Sequence, residues 1–166
     1  MLTSLLLIAS ALAASLPVRL PAVVQGANIP AEYTCLAADG NGVSPQVVWQ
    51  APAGTQSVTL IVDDPDAPGG TFVHWVAFNI PPAQLGITRD IHADDKTLKQ
   101  GLNSFGNASW GGPCPPVGKG SHRYYFRVYA LDTTLALEAG ATREAVDTAM
   151  EDHVLASGSL MGRFQR

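Results

Sequence analysis

The chain has 166 residues, 46% of them hydrophobic and only 14% charged, with a net charge of −4. That length fits one domain with a sizeable core, and the apolar content excludes global disorder. The acidic balance and the lack of any Lys/Arg cluster exclude nucleic-acid binding, which needs concentrated positive charge.

The first segment, LLLIASALAA from Leu5 to Ala14, is apolar but too short to span a bilayer. Ala11-Leu12-Ala13 fits a small-residue cleavage pattern. These features predict a signal peptide over residues 1–13 and a single domain over 14–166, periplasmic or secreted. The stretch before the apolar run lacks Lys and Arg, so an N-terminal core strand in a cytoplasmic protein stays open as the alternative. Val18 to Val24 is strand-like, interrupted by Pro21. A loop rich in Gly, Asn, Asp and Pro follows, and then the short strand VVWQA. Ser57 to Val62 is an apolar, β-branched strand that runs into DDPDAPGG. Phe72 to Ile80 predicts another strand, stopped by Pro81-Pro82. Some forty residues with little periodicity come next, dense in Gly and Pro at GGPCPPVGKG. A connection of that length inside a compact chain is often functional. His122 to Leu131 is the clearest strand, full of aromatic and β-branched residues.

The last segment, Thr142 to Ala156, predicts a helix. Thr142 suits the N-cap, Glu144 sits in the first turn, and Val146, Ala149, Met150, His153 and Val154 share a face. The fold class is mostly β with a late helix. Two cysteines, Cys35 and Cys114, fit no metal spacing. In an exported protein such a pair forms one disulfide, and two buried thiols are the alternative.

Side chains two apart on a strand share a face. Phe72 therefore goes with His74, and His122 with Tyr124. Each pair lies near the start of its strand, one after the acidic turn and one after the Gly/Pro loop. If those strand starts meet, Asp64, Asp66, Phe72, His74, His122 and Tyr124 line one pocket. The bland reading is two core histidines and a surface turn.

DDPDAPGGTFVHWVAFNIP, GPCPP and GSHRYYFRVYALD together resemble the phosphatidylethanolamine-binding protein family, in its bacterial Raf kinase inhibitor-like branch. NIPAEYTC, QGLNSFG and HVLASGSLMGRF look like that branch too, so the likeness runs from about Leu20 to Arg166. It implies a β-sandwich-like fold: a large central sheet packed on a smaller one, with a C-terminal helix. It also implies a small cavity for a phosphate or a phospholipid head group. Asp64, Asp66 and Pro68 match the first family motif, His74 the pocket histidine, and His122 and Tyr124 the second motif. Pro113, Pro115 and Pro116 fall in the family's Gly/Pro loop. Phe72 stands where many relatives carry Trp.

A phosphate wants donors, which histidine N–H, tyrosine O–H and loop amides supply. The carboxylates then accept histidine N–H groups or meet a head-group ammonium. The expected protein is a non-enzymatic binder of a small anion or phospholipid head group, with no cofactor. A kinase or protease as protein target is implied by the resemblance, and a homodimer is left open. The alternative is a metal-dependent phosphoester-processing enzyme that uses the Asp/His cluster. No nucleophile–base triad is visible.

Overall fold

The structure is a computed structural model and describes residues 14–166. The expected signal peptide, residues 1–13, lies outside the described residues. Among the described residues nine strands run in chain order: β1 (Ala14–Ser15), β2 (Val18–Arg19), β3 (Val47–Trp49), β4 (Ser57–Asp64), β5 (Phe72–Ile80), β6 (Gly86–Ile87), β7 (Lys99–Gly101), β8 (His122–Leu131) and β9 (Val154–Phe164). One α-helix among the described residues, α1 (Arg143–Met150), precedes β9, and a short 3-10 turn spans Ala31–Tyr33. The strands form a six-stranded sheet, ordered β1-β9-β8-β4-β5-β7, and a three-stranded sheet, β2-β3-β6. The mostly β fold with two sheets and a late helix is as the sequence predicts.

Alternation on β8 sorts the layers. His122, Tyr124, Phe126, Val128 and Ala130 are buried, while the intervening residues are half-buried. Tyr124, Phe126, Val128 and Ala130 pack with Leu60, Val62 and Trp75 of the large sheet and Val47, Trp49 and Ile87 of the small one. The opposite face of the large sheet is covered by α1, whose Val146 and Met150 join Ile61, Val76, Phe78 and Leu131. β4 is therefore buried along its whole length, and both its faces contribute to a core.

Thr142 caps α1 as expected, its Oγ1 accepting the Ala145 N–H at 3.2 Å. The helix is shorter than its apolar periodicity predicts. It ends at Met150, Asp152 takes a left-handed φ of 64°, and the chain turns into β9. His153 and Val154 thus leave the helical face assigned to them. His153 instead donates from Nδ1 to the Asp132 carboxylate at 2.8 Å. β9 was hidden because two of its inward positions are Gly158 and Gly162. A Cβ at Gly158 would overlap the Leu16 carbonyl, and one at Gly162 would sit 2.7 Å from Ile29. Those glycines admit the N-terminal segment against the sheet and erase the alternating pattern. Among the described residues, no helix is long and apolar enough to cross a membrane.

Candidate functional site

The three acids of DDPDAPGG have separate tasks. Asp63 faces α1 and is buried, accepting Arg127 Nε at 2.8 Å, Arg127 Nη2 at 3.1 Å and Arg143 Nη1 at 3.3 Å. Asp64, one residue on, points to the opposite face. Its Oδ2 accepts the His122 Nδ1–H at 2.7 Å and its Oδ1 accepts the Asp66 N–H at 2.8 Å. Asp66 turns away from the histidines. It accepts Arg123 Nε at 2.8 Å, Arg123 Nη2 at 2.6 Å and the Arg123 backbone N–H at 2.9 Å. The Arg123 guanidinium holds the Asp66 carboxyl well below the usual range, at about 2. Asp66 thus clamps the turn to β8, and Asp64 alone of the three faces the histidines.

His74 reaches the same face through a bulge. Val62 pairs with Trp75 and Asp63 with Val73, so β5 spends one extra residue there. Beyond the bulge, Val76 and Phe78 face α1 while Trp75 and Ala77 face the main core. Uninterrupted alternation would have grouped His74 with Val76 and Phe78. Instead the bulge turns His74 toward Tyr124, with ring centroids 5.2 Å apart. His74 does not use a carboxylate as its partner, as the sequence reading expected for the histidines. Its Nδ1–H donates to the Gly111 carbonyl at 2.7 Å. Burial pushes the His74 pKa down, against the opposing pull of that carbonyl and of Asp64. The Tyr124 hydroxyl is buried and lies near the Asp64 carboxylate, but makes no hydrogen bond of good geometry among the described residues. Burial first, and then the charge of Asp64, push its pKa up, so the phenol keeps its proton.

These groups form the floor of a pocket of about 220 Å³. Of the residues expected there, Asp64, Pro68, Phe72, His74, His122 and Tyr124 line it, and Asp66 and Pro113 do not. Pro113 stands behind the wall, its carbonyl accepting the Cys35 N–H at 3.1 Å. Pro115 and Pro116 lie on the wall, as does Cys114, which is bridged to Cys35 with Cα atoms 5.4 Å apart. Phe105 is a further wall residue, one that strand alternation does not point to. Its ring meets Phe72 edge-on at 4.8 Å. The signal was an aromatic side chain alone among Asn, Ser and Gly in QGLNSFG, a poor setting for packing. Arg166 donates from Nε to the Pro115 carbonyl at 2.8 Å and so fixes a cation beside this wall. Among the described residues, no three His, Cys, Asp or Glu side chains converge as a metal site.

The sequence model described as phosphatidylethanolamine-binding protein matches residues 19–165. The chain belongs to that family. A UPF0098 protein of Pyrococcus abyssi is 46% identical over 142 residues, covering 83% of this chain and 79% of the relative. Among solved structures, the phosphatidylethanolamine-binding protein homologue CT736 of Chlamydia trachomatis superposes with a TM-score of 0.83 at 34% identity, covering 92% of this chain and 98% of its own. Escherichia coli YbcL, described as a member of the mammalian family, superposes with a TM-score of 0.83 at 28% identity, covering 92% and 99%. Within this phosphatidylethanolamine-binding protein fold, the pocket lies where β4, β5 and β8 bring their site residues together, with Cys114, Pro115 and Pro116 as part of its wall.

Proposed function

We propose that this protein binds a small oxyanion, the phosphate of a phospholipid head group, in the Asp64–His74–His122–Tyr124 pocket, without chemical turnover. The observation that carries the reading is the buried Tyr124 hydroxyl, which makes no hydrogen bond of good geometry among the described residues although Asp64 lies close beside it. A hydroxyl held in that state costs about 1–3 kcal/mol unless a ligand or water completes it. Beside it, the Nε2 atoms of His74 and His122 have no hydrogen-bond partner among the described residues, because each ring anchors through Nδ1. The walls are apolar and aromatic, which strengthens any polar contact made at the floor. Asp64 is engaged by His122 and by the Asp66 N–H, so it serves as an orienting acceptor.

Calorimetry with phosphoethanolamine tests the reading. Binding at millimolar concentration or tighter is expected, and His122→Ala weakens it. Turnover of a phosphoester that a chelator abolishes would favour the metal-dependent alternative. The Cys35–Cys114 bridge and the apolar N-terminus support export to an oxidising compartment. An intact mass from the native host that still includes Met1 would remove the signal peptide.

A further inference from the structure

Hydrogen bonding decides which nitrogen of His74 carries hydrogen. Nδ1 lies 2.7 Å from the Gly111 carbonyl oxygen. A carbonyl oxygen only accepts, so Nδ1 is the protonated nitrogen. In the neutral ring Nε2 is then a bare lone pair. The ring lines the pocket, and this nitrogen has no partner among the described residues. A lone pair repels an anionic oxygen, so the neutral ring cannot hold one. We infer that the pocket takes its oxyanion together with a proton: His74 gains H⁺ at Nε2 as the anion enters, and the ligand is held as an anion–imidazolium pair. This rests on the oxyanion reading of the site and adds the protonation chemistry of the bound state.

The surroundings fit a proton that arrives with the ligand. Asp64, and Asp63 beyond it on β4, favour a charged ring, while His122 on β8 opposes it. Phe72 on the same strand and Phe105 from the facing loop carry no charge, and the Tyr124 phenol stays neutral. Arg166, by the Pro115 wall, is a further cation near the tyrosine. Burial keeps the empty-pocket imidazole neutral, so its charging must await a counter-charge. A phosphodiester supplies one negative charge, and the proton comes from solvent. The bound pair is then neutral overall, which suits an apolar-walled pocket.

Glycerophosphoethanolamine is the probe, because neither its phosphodiester nor its primary ammonium titrates between about pH 6 and 8. Calorimetry in buffers of different ionisation heat then counts protons that belong to the protein. The expected result is proton uptake near pH 7.5 of which His74 accounts for about one proton per ligand, with affinity falling at least about tenfold per pH unit above the free His74 pKa. His74→Gln offers an amide N–H that needs no proton. It is expected to bind with about one proton fewer taken up per ligand than the wild type and with a correspondingly flatter pH dependence. Binding by the wild type without proton uptake overturns the inference and leaves the oxyanion pocket standing. Uptake unchanged in His74→Gln places the proton elsewhere and also overturns it. Failure of glycerophosphoethanolamine to bind at any pH overturns both readings. If His74→Gln does not fold, long-range ¹⁵N NMR of the wild type decides. Imidazolium shifts at both His74 nitrogens in the bound state are expected, and a neutral bound ring refutes the inference.

Discussion

Replacing both cysteines by serine separates what the Cys35–Cys114 bridge does for stability from what it does for the pocket. The bridge spans 79 residues, a loop that contains β3 to β7. In the chain-entropy account, a loop of that length restricts the unfolded chain by about 15 cal/mol/K, or about 4.5 kcal/mol at 25 °C. Measured values fall at or below this ceiling, so a loss of about 2–4.5 kcal/mol is expected. At about 2–4 °C per kcal/mol, the melting temperature drops by roughly 4–18 °C. The pocket should survive, because the two loops are also joined without the sulfurs. Cys35 N–H donates to the Pro113 carbonyl at 3.1 Å, Gly112 N–H to Asn41 Oδ1 at 3.1 Å, and Asn41 Nδ2 to the Trp110 carbonyl at 3.2 Å. At about 0.5–1.5 kcal/mol each, these keep the Cys114 wall docked while the protein is folded. Urea unfolding of oxidised wild type and of the double variant measures the first effect. Phosphoethanolamine calorimetry on the folded double variant measures the second, with affinity expected within about threefold of wild type. A stability loss under about 1 kcal/mol would refute the loop-closure reasoning. Loss of binding with the fold intact would show that the bridge itself shapes the pocket.

Three further perturbations probe the same framework. Gly112→Ala should lower both stability and phosphoethanolamine affinity, since its Cβ would overlap the Asn41 backbone carbonyl and displace the loop whose Gly111 carbonyl holds His74; unchanged unfolding and binding would contradict this packing. Asp64→Asn should weaken phosphoethanolamine binding by about 1–3 kcal/mol by removing the charged acceptor that orients His122, and wild-type affinity would dismiss that role. Asp66→Asn should destabilise at neutral pH without touching ligand affinity. Because the folded Asp66 pKa of about 2 lies below the ordinary 3.8, the difference from wild type should be full above about pH 4. It should close as pH falls toward 2, and acid denaturation curves that stay parallel would refute the Arg123 clamp.

The legible parts of the fold were those where local pattern and tertiary context agree. β5 and β8 run over the predicted residues because their apolar and β-branched stretches are bounded by Gly/Pro punctuation. β9 was not legible, because Gly158 and Gly162 occupy inward positions for reasons set by the N-terminal segment. The helix was overextended because an apolar periodicity running through Val154 looks the same whether or not Asp152 turns left-handed. At the site, strand alternation correctly paired Phe72 with His74, and His122 with Tyr124. What brings His74 onto that face is a bulge at His74 itself, between the paired Val73 and Trp75, which only the cross-strand register reveals. The acidic stretch gave its residue types but not their targets. Adjacent Asp63 and Asp64 point to opposite faces, and Asp66 finds an arginine fifty-seven positions away, a pairing no local pattern encodes. Phe105 reaches the pocket from a loop without periodicity, which leaves strand-based reading nothing to use.

The most direct test of the central claim is a crystal structure of the protein soaked with phosphoethanolamine. The account predicts the phosphate on the pocket floor, within hydrogen-bonding reach of the Tyr124 hydroxyl and of the Nε2 atoms of His74 and His122. A phosphate seated elsewhere, or a pocket that holds the ammonium against Asp64 with the phosphate outside, would contradict it.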